Sequence, residues 1–110
     1  MRRIRQSNST VYITDKNITL QSYAAYVANI DKNDGTLTLG PLWHYSVTTW
    51  QHVRKFINEY IHYLNAQTYA DMLRMFNSKN GRAYMQTLID NGIIHIEDDW
   101  TLCDRITKEE

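Results

Sequence analysis

The alternation of apolar and polar residues divides the chain into a β-prone first half and a helical second half. Thr10 to Ile13 (TVYI) and Ile18 to Leu20 are short β-prone runs, separated by the polar turn composition Thr14-Asp15-Lys16-Asn17. In Ser22 to Ile30 (SYAAYVANI), alternation sets Tyr23, Ala25, Val27 and Asn29 on one face and Ala24, Tyr26, Ala28 and Ile30 on the other. Both sets are mainly apolar, which predicts a strand covered on both sides. Asp31 to Gly35 supplies a turn, and Thr36 to Leu39 (TLTL) resumes alternation with Leu37 and Leu39 inward. Two β runs around a glycine-containing loop predict a hairpin. Beyond Gly40-Pro41, Leu42 to Ser46 (LWHYS) reads as a third, returning strand.

From Thr48 the period changes. Val53, Phe56, Ile57, Tyr60, Ile61 and Leu64 recur at helical spacing and predict an amphipathic helix over about 49–64. Thr48 and Gln51 have the spacing of a capping box, and Lys55 and Glu59 are an i,i+4 pair. A second helix is expected over Thr68 to Phe76, with Tyr69, Met72, Leu73 and Phe76 as its apolar face. After the loop Asn77 to Gly81, a third helix is expected over Arg82 to Asp90, burying Met85, Leu88 and Ile89 and stopping at Asn91-Gly92. Ile93 to Ile96 and Trp100 to Cys103 read as a C-terminal β-hairpin around the acidic turn Glu97-Asp98-Asp99. The expected fold class is α+β: an N-terminal antiparallel sheet packed on the long helix, two shorter helices and that hairpin. Residues 1–9 read as a flexible basic arm, 10–104 as a single domain and 105–110 as a charged, frayed tail.

Composition narrows the classes. The 110 residues suffice for one core, and twelve Lys and Arg balance twelve Asp and Glu, so net charge points to neither a polyanion nor a membrane as partner. No apolar run approaches the ~20 residues of a membrane span, and no apolar region follows Met1 to Arg5 as a secretory signal would require. Cys103 is the only cysteine, which suits a reducing compartment and excludes a cysteine-rich zinc site.

Candidate chemistry is sparse. Gly35, Gly40, Gly81 and Gly92 all sit at turn positions, and no phosphate-cradling glycine motif exists. His44, His52, His62 and His95 are dispersed. The pairing of Glu59 with His62 reads as a solvated helix pair, and no cofactor or metal is expected. Ser46 with His44 or His52 is the one Ser/His proximity in the chain, without a nucleophile-elbow motif around it. These readings predict a protein that is not an enzyme. Charge is nonetheless uneven: Arg54 to Arg82 holds five cations against two acids, while Ile93 onward holds six acids against two cations. The order helix, helix, hairpin from Tyr69 has a winged-helix outline, with Arg54, Lys79 and Arg82 as its nucleic-acid contacts and an acidic wing opposing them. Eight Tyr and three Trp exceed what a small core hides easily. Trp50, Tyr63, Tyr69 and Tyr84 are the candidate partner-binding residues, because exposed aromatics anchor interfaces. Tyrosine-rich strand edges would also permit a homodimer.

Ser22-Tyr23-Ala24-Ala25-Tyr26-Val27-Ala28, Asp34-Gly35-Thr36-Leu37 and Tyr45-Ser46-Val47-Thr48-Thr49 followed by His52 together resemble a pattern found in small accessory proteins of tailed phages and prophages. That pattern runs S-Y-x-T-x-V-A, D-G-x-L and Y-S-x-T-T-x-x-H, and Ala25 stands where it has Thr. The resemblance spans Ser22 to Phe56. It implies a phage or mobile-element origin and supplies no catalytic residues. On this reading Tyr45 fills the sheet, Ser46 and Thr48 start the helix, and His52 reaches back to the sheet. The function implied is occupation of a host protein or ribonucleoprotein in the bacterial cytoplasm, with CRISPR-effector inhibitors as one such class. A winged-helix-like DNA-binding regulator is the alternative.

Overall fold

The computed structural model describes residues 1–107. It is an α+β structure built on a six-stranded sheet in the order β1-β2-β3-β4-β5-β6. The strands are β1 (Arg2–Gln6), β2 (Ser9–Ile13), β3 (Asn17–Ser22), β4 (Ala25–Asp31), β5 (Leu37–Leu39) and β6 (His95–Ile96). Strands β1 to β5 form an antiparallel meander, and β6 joins β5 in parallel. Four helices follow the meander: α1 (Val47–Glu59), α2 (Ala66–Asn77), α3 (Gly81–Asp90) and α4 (Asp99–Thr107).

Side chains of successive strand residues point to opposite faces. On the front face Val11, Ile18, Leu20, Ala28, Ile30, Leu37 and Leu39 meet Val53, Phe56 and Ile57 of α1 and Met72, Met75, Met85 and Leu88 of α2 and α3 in one buried cluster. The back face carries a polar row. Thr19 Oγ1 donates to Asn29 Oδ1 at 2.6 Å, and Asn29 Nδ2 donates to Asn17 Oδ1 at 3.0 Å. Helix α4 covers this row, with Leu102 and Ile106 buried and Arg105 Nη1 donating to Thr38 Oγ1 at 3.2 Å. Asn29 is fully buried. The cost of burying its amide is offset because both ends are bonded.

The central hairpin forms as its sequence predicts, with Ala28 opposite Leu39 and Ile30 opposite Leu37. Val27 to Ile30 are all buried, so the strand is covered on both sides. A bulge opposite Leu20 and Gln21 shifts the register at Tyr26, which faces the back of the sheet with Tyr12 rather than the front with Ala28.

Several expectations are corrected. The basic arm is strand β1, paired along its whole length with β2, because Ile4 opposite Val11 extends the front core. Leu42 to Ser46 is a run of turns that buries Trp43, not a strand. Helix α1 stops at Glu59, and Ile61–Tyr63 forms a short 3-10 turn before Asn65 caps α2. Its N-cap is Ser46, whose Oγ accepts from Thr49 N at 3.1 Å; the Thr48–Gln51 box is not the cap. The buried face of α2 is Asp71, Met72 and Met75, with Tyr69 and Leu73 exposed. Trp100 to Cys103 belongs to α4, so Ile93 to Ile96 does not fold back on it but pairs through β6 with β5. Residues 105–107 of the expected charged tail continue α4, and the remainder of that tail lies outside the described residues.

Candidate functional site: an aromatic groove at the end of the sheet

The β3–β4 turn, the Pro41 to Ser46 loop, the start of α1 and the start of α4 converge at one end of the sheet. They enclose an open groove of about 900 Å³, lined by Ser22 to Tyr26, Pro41, Leu42, Tyr45, Ser46, Thr48, Thr49 and Asp99. Each segment is held locally. Tyr23 turns the chain at φ 53°, and its N–H donates to Asn8 O at 2.8 Å. Gly40 approaches β4 so closely that a Cβ there would lie 2.1 Å from Tyr26 O, so only glycine lets the loop leave β5 on this path. Asp98 Oδ1 accepts from Thr101 N at 2.7 Å, which starts α4, and Asp99 Oδ1 accepts from Tyr26 N at 2.6 Å, which pins α4 to the turn.

The groove is apolar and its rim is aromatic. Tyr23 is 54 % exposed and Tyr45 78 % exposed, and Leu42 is exposed beside them. Trp100, next to Asp99 in the chain, is 76 % exposed. The hydroxyls at the base are engaged internally: Ser46 Oγ lies 3.1 Å from Thr49 Oγ1, and Ser22 Oγ lies 2.7 Å from His52 Nδ1.

The Ser22–His52 contact joins β3 to α1 across a separation that local sequence does not reveal. His52 reaches back to the sheet as expected, but its serine partner is Ser22, not Ser46. Partial burial, reinforced by the positive charge of Lys55, lowers the pKa of His52. Ser22 Oγ and His52 Nδ1 share one hydrogen bond, its donor set by the tautomer of the ring. The pair acts as a staple, and the Tyr23 ring packs over His52 at a centroid distance of 5.9 Å.

The groove brings together two stretches that stand apart in sequence, Ser22 to Tyr26 and Tyr45 to His52. The model of one protein family matches residues 2–74, which contain both. The chain belongs to DUF8033, a family of unknown function. The DUF8033 span holds β1 to β5, α1 and most of α2, so it carries every lining residue except Asp99. No curated protein and no solved structure matches the chain.

The sequence-derived candidates lie elsewhere. Trp50 packs edge-on against Trp43 with centroids 5.5 Å apart, and Tyr84 packs on the same core. Tyr63 and Tyr69 are exposed, Tyr63 beneath the ammonium of Lys32. The Arg54 guanidinium lies 5.4 Å over the Phe76 ring, beside a smaller hollow of about 410 Å³ that includes Lys55 and Asn58. Lys79 and Arg82 flank Asn80, the N-cap of α3. The expected wing is absent as a hairpin, since residues 99–107 are helical, and the winged-helix outline does not form. Glu59 pairs with Lys55 and His62 packs on Tyr63. Among the described residues, no group of three His, Cys, Asp or Glu side chains gathers where a metal could be held, and no helix is long and apolar enough to cross a membrane. Sequence reasoning missed Tyr23, Leu42 and Asp99 as site residues. It placed Tyr45 inside the sheet, whereas Tyr45 stands in solvent because Trp43 takes the buried position in that loop.

Proposed function

We propose that this protein is a non-enzymatic accessory factor of a phage or mobile element that acts by seating a host macromolecule in the aromatic groove and blocking it. The observation that carries the reading is the groove itself: an open, mainly apolar hollow of about 900 Å³ with Tyr23, Leu42 and Tyr45 left in solvent around it. Clustered exposed apolar side chains mark interaction sites, and Tyr combines a large contact area with few rotatable bonds. At the base of the groove the Ser22, Ser46 and Thr49 hydroxyls are bonded within the fold, which favours positioning over chemistry. Resemblance to phage accessory proteins favours a host protein or ribonucleoprotein in the bacterial cytoplasm as the occupant. CRISPR effector complexes are one candidate class, and blocking one would make this an anti-CRISPR-type inhibitor.

The test is affinity capture from host lysate with three baits: the unmodified chain, Tyr45→Ser and Tyr69→Ser. One stoichiometric partner should be retained by the unmodified chain and by Tyr69→Ser, and lost with Tyr45→Ser. Capture of nothing under varied salt and growth conditions, or a partner indifferent to Tyr45, would defeat the reading.

A further inference from the structure

Helix α4 covers the back of the sheet over β3 to β5, where Leu102, Ile106 and Arg105 seat. Toward β1 and β2 the same face carries different chemistry. Arg3 stands opposite Tyr12, Arg5 opposite Thr10, and Thr10 opposite Gln21, which in turn faces Tyr26. Arg3 and Arg5 are exposed, and Thr10, Tyr12, Gln21 and Tyr26 are half-buried. The rings of Tyr12 and Tyr26 are 6.3 Å apart, and the Arg3 guanidinium lies over the Tyr12 ring, 5.4 Å from its centre, so a base stacking on that face must displace it.

We propose that this face binds single-stranded nucleic acid, with bases stacked on Tyr12 and Tyr26 and phosphates held by Arg3 and Arg5. Strand β1 holds three arginines and no acid, a local charge that the net balance conceals. Positive charge beside aromatic rings on an open sheet face is the arrangement that holds unpaired bases: each base has a face to stack, and guanidinium groups neutralise the backbone. The Tyr12 hydroxyl donates to Gln21 Oε1 at 2.7 Å, which fixes the ring on the sheet. Burial, with the Cys103 thiol beside it, pushes the Tyr26 hydroxyl up to about 12. Paired bases cannot reach such rings, so a duplex is a poor ligand. Asp98 and Asp99 at the start of α4 bound the platform, and a polyanion would run from Tyr26 toward β1, away from them. Arg54, Lys79 and Arg82 take no part. Tyr26 also lines the groove, whereas Arg3, Arg5 and Tyr12 lie outside it, so their variants test this face apart from the groove's occupant.

Fluorescence anisotropy of labelled oligo(U) and oligo(dT) of about ten nucleotides, against the full chain from about 50 to 200 mM salt, decides it. Affinity should fall with salt, and Arg3→Gln with Arg5→Gln should make the log–log slope shallower by roughly 1.4, that is ~0.7 for each lost phosphate contact. Tyr12→Leu should weaken binding on the order of tenfold with the slope unchanged. Tyr45→Ser should bind like the unmodified chain, and a blunt duplex should bind less well than either strand. Absence of binding to both strands at the lowest salt, or binding insensitive to the arginine pair, overturns the proposal. The arginine variants change exposed side chains only, so that arm stands even if Tyr12→Leu fails to fold.

Discussion

His52 shows how one side chain couples fold and pH. Its pKa is lowered in the folded state by burial and by Lys55, so the unfolded chain binds the proton more readily. Stability contributed by the neutral ring is complete above the unfolded value, ~6.5, and is lost as pH falls through that value toward the lower folded one. Urea midpoints should therefore drop between about pH 7.5 and 5.5, and His52→Gln should flatten that part of the profile. An unchanged slope in the variant would mean that another group sets the dependence. Gly35 is the second decisive residue. It adopts φ +73°, and a Cβ would stand 2.2 Å from Asn65 N, where the Asn65 N–H already donates to Gly35 O at 3.1 Å. Left-handed strain alone costs about 1–2 kcal/mol in a residue with a Cβ. With the backbone overlap added, Gly35→Ala should lose at least about 2 kcal/mol by urea denaturation.

At the scale of elements, four helix starts use the same device. Ser46, Asn65, Asn80 and Asp98 each accept from a backbone N–H three residues on. Loss of such a cap costs about 1 kcal/mol. Asn65→Ala should cost more than Asn80→Ala, because Asn65 Nδ2 also donates to Asp34 O and so ties α2 to the β4–β5 turn. Thermal melts of the two variants check the order. Helix α4 depends on packing as well. Leu102 is fully buried on the back of the sheet, and Leu102→Ala should destabilise by about 2–5 kcal/mol. A strand reading of Trp100 to Cys103 would put Leu102 on a sheet edge, where the loss would be much smaller. The structural basis for a helix here is local as well: Asp98 caps its first turn and the charge of Asp99 favours the start of a helix.

Taken as a whole, the molecule places Tyr23 and Tyr45 where two loops and two helix starts meet. Tyr45 makes little buried contact, so Tyr45→Ser should change stability by less than about 0.5 kcal/mol. Partner capture should be lost nonetheless, which separates a binding defect from a folding defect. One edge of the sheet is β1, and its exposed arginines would face one another if two copies paired there. Like charges at such an edge oppose self-association, so any self-pairing at this edge should strengthen with added salt, a trend that sedimentation at low and high salt would detect.

Local pattern was sufficient for the central hairpin, for α1 and for the glycine turns, because alternation, helical period and positive φ are properties of neighbouring residues. The reach of His52 back to the sheet is an implication of the resemblance and not of local period. Local pattern did not reveal Ser22 as the partner of His52, the bulge that turns Tyr26 to the back face, or the parallel seat of β6 on β5, each of which joins residues distant in the chain. Nor did it separate strand from helix in Trp100 to Cys103, because a short apolar run fits either period until a surface is available to bury it. That surface exists only after the meander has formed. The order of amino acids determined which segments would be strands and helices wherever the period was long enough to read. The tertiary structure decided which of their side chains share a groove, because proximity across the sheet arises from packing and not from sequence spacing.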